Sequence, residues 1–145
     1  MADSVTVQNA IDKLWASVIE SMSMDLLRSE ITFKLKYYYY DKWTHYTLTL
    51  SGVSSFYFAN DNGEDRFRII EYENGDILEL TSMTYYPNGI GKIGIKDGVP
   101  WTKQLYSSAN FSLEIWQRNL LIEAKQIEIV NVDENEVILR IILRH

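Results

Sequence analysis

From Ser29 onward the apolar residues recur at every second position, and that period decides the fold class. Ile31, Phe33, Leu35, Tyr37 and Tyr39 alternate with Thr32, Lys34, Lys36 and Tyr38. Successive side chains of a strand point to opposite faces, so this spacing sets one row on a core and the other in water. Tyr46, Leu48 and Leu50 repeat the pattern after Asp41-Lys42, which predicts a hairpin turning at those two residues. Val53 to Phe58, Arg66 to Tyr72, Ile77 to Tyr86 and Ile93 with Ile95 continue the series. Leu120 to Ala124, Gln126 to Val130 and Glu136 to Leu143 complete it. Between them stand Asn60-Asp61-Asn62-Gly63, Asn74-Gly75, Pro87-Asn88-Gly89, Asp97-Gly98 and Asp133-Glu134-Asn135. Such clusters supply the bent or left-handed backbone of tight turns. Trp101 to Trp116 reads as strand or helical turn, and the alternation from Asn110 to Trp116 favours strand.

The first segment follows a different period. Ile11, Leu14, Trp15, Val18, Ile19 and Met22 fall on one face of a 3.6-residue helix, with Asp12, Lys13, Ser17 and Glu20 off it. A short turn over Met24 to Leu27 is expected to follow. Trp15 and Trp116 are expected in the core. Many short strands separated by turns predict a mainly β chain (α+β by strict count). The expected fold is an antiparallel β-sandwich or partly open barrel with one N-terminal amphipathic helix. With 145 residues, two prolines and no linker-like tract, residues 1–145 read as a single domain. Residues 1–28 would form a helical segment and 29–145 a β-rich body. A domain of this size buries roughly 70% of its unfolded surface, enough for a sizeable core.

Composition removes several kinds of chemistry. The chain has no cysteine, so disulfides, thiolate nucleophiles and thiolate metal sites are absent. Met1 to Thr6 has neither the basic nor the apolar region of a signal peptide, and no apolar run approaches the roughly 20 residues that span a bilayer. The expected location is cytoplasmic, with no membrane partner. The net charge of −6 disfavours non-specific nucleic-acid binding, which needs clustered Lys and Arg. It suits a basic protein partner, and equally it serves solubility.

The motifs that carry catalysis fail on context. There are two histidines. His45 lies inside a predicted strand and His145 is the last residue, so a Ser-His-Asp triad would have to be built on His45. No His-Glu-x-x-His occurs. Asp61-Asn62-Gly63-Glu64-Asp65 offers oxygen ligands but lacks the calcium-loop spacing, and its residues are what a hairpin turn needs anyway. The pairs Glu64/Asp65, Glu71/Glu73 and Glu134/Glu136 are adjacent in turns, not opposed across a cleft as glycoside hydrolysis requires. Gly89-Ile90-Gly91-Lys92-Ile93-Gly94 matches a dinucleotide-binding pattern in letters only, since no helix follows. No catalytic residue, metal or cofactor is assigned.

Tyr37-Tyr38-Tyr39-Tyr40 is the most unusual local feature. In a strand, Tyr37 and Tyr39 would continue the apolar face while Tyr38 and Tyr40 face out. Exposed tyrosines serve as interface contacts or as cross-strand surface pairs. Trp43 beside the turn and Trp101 after Pro100 are further exposed-anchor candidates. With Glu64 and Asp65 as acidic loop contacts, the candidate partner-binding set is Tyr38, Tyr40, Trp43, Glu64, Asp65 and Trp101.

Three segments are familiar in combination. They are Leu14-Trp15-Ala16-Ser17-Val18-Ile19 with Met24-Asp25-Leu26-Leu27; Ser51-Gly52-Val53-Ser54-Ser55-Phe56-Tyr57-Phe58; and Tyr106-Ser107-Ser108-Ala109-Asn110-Phe111 running on to Ile115-Trp116 and Leu121-Ile122-Glu123-Ala124-Lys125. Over Trp15 to Val130 the chain resembles the YxiG-like family of small cytoplasmic proteins from Bacillus and relatives. The resemblance implies a place among immunity genes beside polymorphic toxins. Its expected function is that of an immunity-type module that neutralises a toxin domain by tight non-catalytic binding, a basic toxin domain being the partner that suits the acidic chain. Two alternatives stay open: a barrel or sandwich that binds a small apolar ligand or carbohydrate, and an enzyme that works by carboxylates alone.

Overall fold

A computed structural model describes residues 4–60, 78–96 and 99–143. The strand expected at Arg66 to Tyr72 and the turns at Asn74-Gly75 and Asp97-Gly98 lie outside these residues. So do Asp61 to Asp65, Glu71, Glu73 and His145.

Two antiparallel sheets pack face to face and do not close into a barrel. One has five strands: β1 (Val18–Asp25), β2 (Glu30–Tyr39), β3 (Lys42–Ser51), β10 (Gln126–Asn131) and β11 (Glu136–Ile142), in the order β1-β2-β3-β10-β11. The other has four: β4 (Ser55–Ala59), β5 (Ser82–Tyr85), β8 (Phe111–Ile115) and β9 (Arg118–Glu123), in the order β4-β9-β8-β5. β6 (Ile93–Gly94) and β7 (Tyr106–Ser107) form a small ribbon, joined by a 3-10 turn over Pro100–Gln104. The expected β-sandwich with one N-terminal helix is the fold observed.

Period-two alternation builds the core. Ile31, Phe33, Leu35, Leu48, Leu50, Ile127, Ile129 and Leu139 project from the five-stranded sheet, and Met83, Tyr85, Phe111, Leu113, Leu120 and Ile122 from the other; all are buried. The chain passes between sheets twice at one corner, after β3 and after β9. Lys125 N–H donates to Ser51 C=O at 3.0 Å there. Asn110, itself buried, holds the second crossing. Its Nδ2 donates to Ala124 C=O at 2.9 Å, and its Oδ1 accepts from Ala124 N–H at 3.0 Å.

The helix differs from the expected one. α1 spans Ser4–Asp12, and its buried face is Val7, Ala10 and Ile11, continued by Leu14 in the following turn. Ala16 adopts φ +62° and its N–H bonds to Leu80 C=O, which ends the helical path. Residues 18–25 are therefore strand, not helix, and residues 1–28 are not a helical unit. A bulge explains the misleading spacing. Register with β2 shifts between Ile19 and Ser21, so Ile19, Met22 and Met24 all share the inner face, opposite Leu35, Phe33 and Ile31. An inserted residue turns a two-residue period into the three-residue step typical of helices. α1 also covers an edge: Gln8 accepts from Tyr85 N–H at 2.8 Å and donates to Met83 C=O at 3.0 Å, standing in for a neighbouring strand along β5.

Candidate functional site: an aromatic hairpin tip

β2 outruns the core. Its buried residues stop at Leu35; Tyr37 is half-buried, and Tyr38 and Tyr39 are exposed. Tyr39 thus faces solvent, contrary to the expectation that it continues the apolar row, because no residue of the opposite sheet covers this end of the hairpin among those described. At roughly 3.3 Å per residue, the strand projects on the order of 10 Å beyond Leu35.

The turn comprises Tyr40 and Asp41, one residue earlier than expected, with φ of +49° and +59°. Two left-handed residues match the right-handed twist of the flanking strands. The sequence places tyrosine where Asn or Gly is usual, at a cost of about 1–2 kcal/mol. Tyr40 is 84% exposed, so it gains little burial in return. Strained backbone of this kind clusters at functional sites, which makes this turn a candidate site.

Tyr38 and Trp43 are direct cross-strand partners, with ring centroids 5.0 Å apart. Lys36 Nζ lies 4.6 Å from the centre of the Trp43 ring, a cation–π contact. Tyr38 Oη donates to Asp41 Oδ1 at 3.0 Å, which fixes its ring beside the turn. On the opposite side of the hairpin Tyr37 and Tyr39 stack at 6.1 Å, and Tyr39 meets Tyr40 edge-on at 4.2 Å. The Tyr39 hydroxyl is held above its ordinary pKa, first by its hydrogen bond with Tyr40.

His45 ties this hairpin to the next. Its backbone N–H donates to Asp133 Oδ2 at 2.7 Å, and its ring Nδ1 lies 3.1 Å from Asp133 Oδ1. Its carbonyl accepts from Val132 N–H at 2.9 Å. The His45 N–H, then the ring contact and the Lys42 charge, hold the Asp133 carboxyl below the usual range. Tyr46, on the inner side, is raised by burial and then by Glu134. A His–Asp pair is half of a triad, but it lies here on an open sheet face and serves to brace two loops. Among the described residues no group of three His, Cys, Asp or Glu could hold a metal, and no carboxylate is buried.

The expected binding residues therefore divide. Tyr38, Tyr40 and Trp43 come together at the tip. Trp101 is 64% exposed on the 3-10 turn, in a separate segment with exposed Val99, Leu105 and Tyr106. Glu64 and Asp65 lie outside the described residues. Trp15 and Trp116, expected in the core, are exposed. Both occupy turns, Trp116 at φ +55° between β8 and β9, so neither can point inward with the strand residues beside it. Lys36 and Asp133 were not singled out from sequence. Lys36 could have been, since it shares a strand face with Tyr38; Asp133 meets the hairpin only through tertiary pairing.

No helix among the described residues is long and apolar enough to cross a membrane. No curated protein matches the chain. The model of the YxiG-like protein family matches residues 7–136, which takes in every strand of both sheets except β11, of which it reaches only the first residue, Glu136, and the chain belongs to that family.

Proposed function

We propose that this chain is a non-catalytic protein-binding module of the immunity kind, acting in the bacterial cytoplasm by seating on a toxin domain and blocking it. The observation that carries the binding half is the hairpin tip, where Tyr38, Tyr39, Tyr40 and Trp43 are all exposed on a braced, strained turn. Tyrosine and tryptophan offer large contact area at low entropic cost and dominate interface hot spots. Cross-strand rings and the His45–Asp133 brace fix them before a partner arrives, which reduces the cost of ordering on binding. The net charge of −6 favours a basic partner by steering and complementarity. The immunity half rests on the place among toxin-linked immunity genes that the family resemblance implies.

The test is co-expression with any toxin domain encoded beside this gene. The wild-type chain is expected to restore growth and to form an isolable complex with the toxin's C-terminal domain. Trp43→Ala is expected to weaken that complex by about 30-fold or more, as a hot-spot truncation does. Trp101→Ala on the separate turn serves as the comparison. A toxin that kills equally well with and without this chain overturns the immunity reading.

A further inference from the structure

The sandwich has a second feature that the hairpin tip does not use. Between the sheets lies an apolar slot of about 380 Å3. One wall is Met22, Met24 and Phe33 of β1 and β2; the other is Phe56, Phe58 and Leu120 of β4 and β9. Phe56 and Phe58 stand opposite the buried Ile122 and Leu120, so they point to the inner side of their sheet, yet both remain exposed. Met22 likewise lies on the inner face and is exposed. Inner-face residues exposed on both sheets define a slot rather than scattered surface side chains.

Arg118 is the one charged residue among the described residues that line it, and it also keeps a contact of its own within the chain. It begins β9 and pairs with Ile115, two residues from Leu120 on the same face, which places a cation at one end of a slot whose other described lining residues are apolar. A site of this kind complements a ligand with an alkyl body and a single anionic end. Its volume lies in the lower part of the range for small-molecule sites. A water occupies ~30 Å3, and a methylene is of similar size, so the slot holds a chain of roughly a dozen carbons.

We propose that this slot binds a medium-chain fatty acid, its alkyl chain between Met24, Phe33 and Phe58 and its carboxylate toward Arg118. The site is independent of the protein-binding reading above and of its test. Thioether and phenyl side chains suit such a guest, because methionine adapts its shape to flexible apolar ligands.

The experiment is displacement of a fluorescent polyene fatty acid from the full chain by saturated acids from eight to eighteen carbons, below their micelle concentrations. Affinity is expected to rise about fourfold per methylene and to level off near twelve carbons, where the slot is filled. Phe58→Asp, at a half-exposed position, is expected to lower affinity at least tenfold with the circular dichroism spectrum and melting point retained. Arg118→Gln is expected to weaken binding of dodecanoate and leave dodecanol unchanged. Lack of saturable displacement by any acid overturns the proposal. So does affinity that is indifferent to chain length, or to Phe58→Asp. Concentration-dependent dimerisation that Phe58→Asp abolishes, without fatty-acid binding, would assign the slot to a second copy of the chain instead.

Discussion

Asn110→Ala removes one side chain that satisfies both backbone polar groups of another residue. Asn110 is buried, as is Ala124, whose N–H and C=O it pairs at 3.0 and 2.9 Å. Truncation leaves both backbone groups unpaired where the chain leaves β9 for β10. Each buried group left without a partner costs about 1–3 kcal/mol, so the expected loss is about 2–5 kcal/mol after partial relaxation. That is a large part of the roughly 5–15 kcal/mol that holds a domain folded. With a urea slope of about 2 kcal/mol/M for a chain of this size, the midpoint should fall by roughly 1–2.5 M at an unchanged slope. Asn110→Asp separates hydrogen bonding from packing. The carboxylate still accepts from Ala124 N–H but faces Ala124 C=O with no proton to offer, so neutral pH should be as damaging as truncation. Burial and that carbonyl raise the introduced acid's pKa, so the folded form takes up a proton first. The deficit should therefore shrink as pH falls toward 5, when the acid can donate. The assay is urea unfolding followed by tryptophan fluorescence and far-UV circular dichroism at pH 7 and pH 5. A midpoint for Asn110→Ala within roughly 0.3 M of wild type would refute the reasoning, because it would correspond to less than about one unpaired group.

Two further outcomes follow from the brace and the sheet crossing. Asp133 is held below its ordinary pKa by His45 and Lys42, so the stability it contributes is present above the unfolded aspartate value and is lost as pH falls through the folded one. Asp133→Asn should lower the melting point at pH 7 and converge with wild type below about pH 4, and parallel curves over that window would show that the carboxylate charge is immaterial. Gly52→Ala should cost about 1–3 kcal/mol, read as a fall of several degrees in melting temperature. Gly52 has φ +61° and a Cβ there would lie 2.9 Å from Lys125 Cβ, so an unchanged melting point would mean that the corner can open freely.

Much of the fold was legible because strands and turns are local. The run Ile31 to Leu35, answered by Leu48 and Leu50, is enough to define a hairpin with one apolar face, and Pro87-Asn88-Gly89 turns as its residues require, with Gly89 N–H bonded to Tyr86 C=O. Exposure of Tyr38, Tyr40 and Trp43 followed from the same alternation and from proximity to a turn. The N-terminal segment was misread for a physical reason. One inserted residue near Glu20 gives Ile19 and Met22 the spacing of a helix while both line a sheet, and only pairing with Leu35 and Phe33 reveals it.

The amino-acid sequence by itself determined the mainly β class and the β2–β3 hairpin, because these depend on periodicity and turn chemistry within a few residues, and it placed one helix near the N-terminus without its bounds. It also determined the absence of thiol chemistry. Tertiary structure alone put three further aromatics outside: Tyr39 is exposed beyond the buried part of β2, and Trp15 and Trp116 are exposed because they occupy turns. It alone joined Asp133 to His45 across 88 positions. It alone opened the slot between Met22 and Phe58, since that depends on how far one sheet covers the other, a distance that no local pattern encodes.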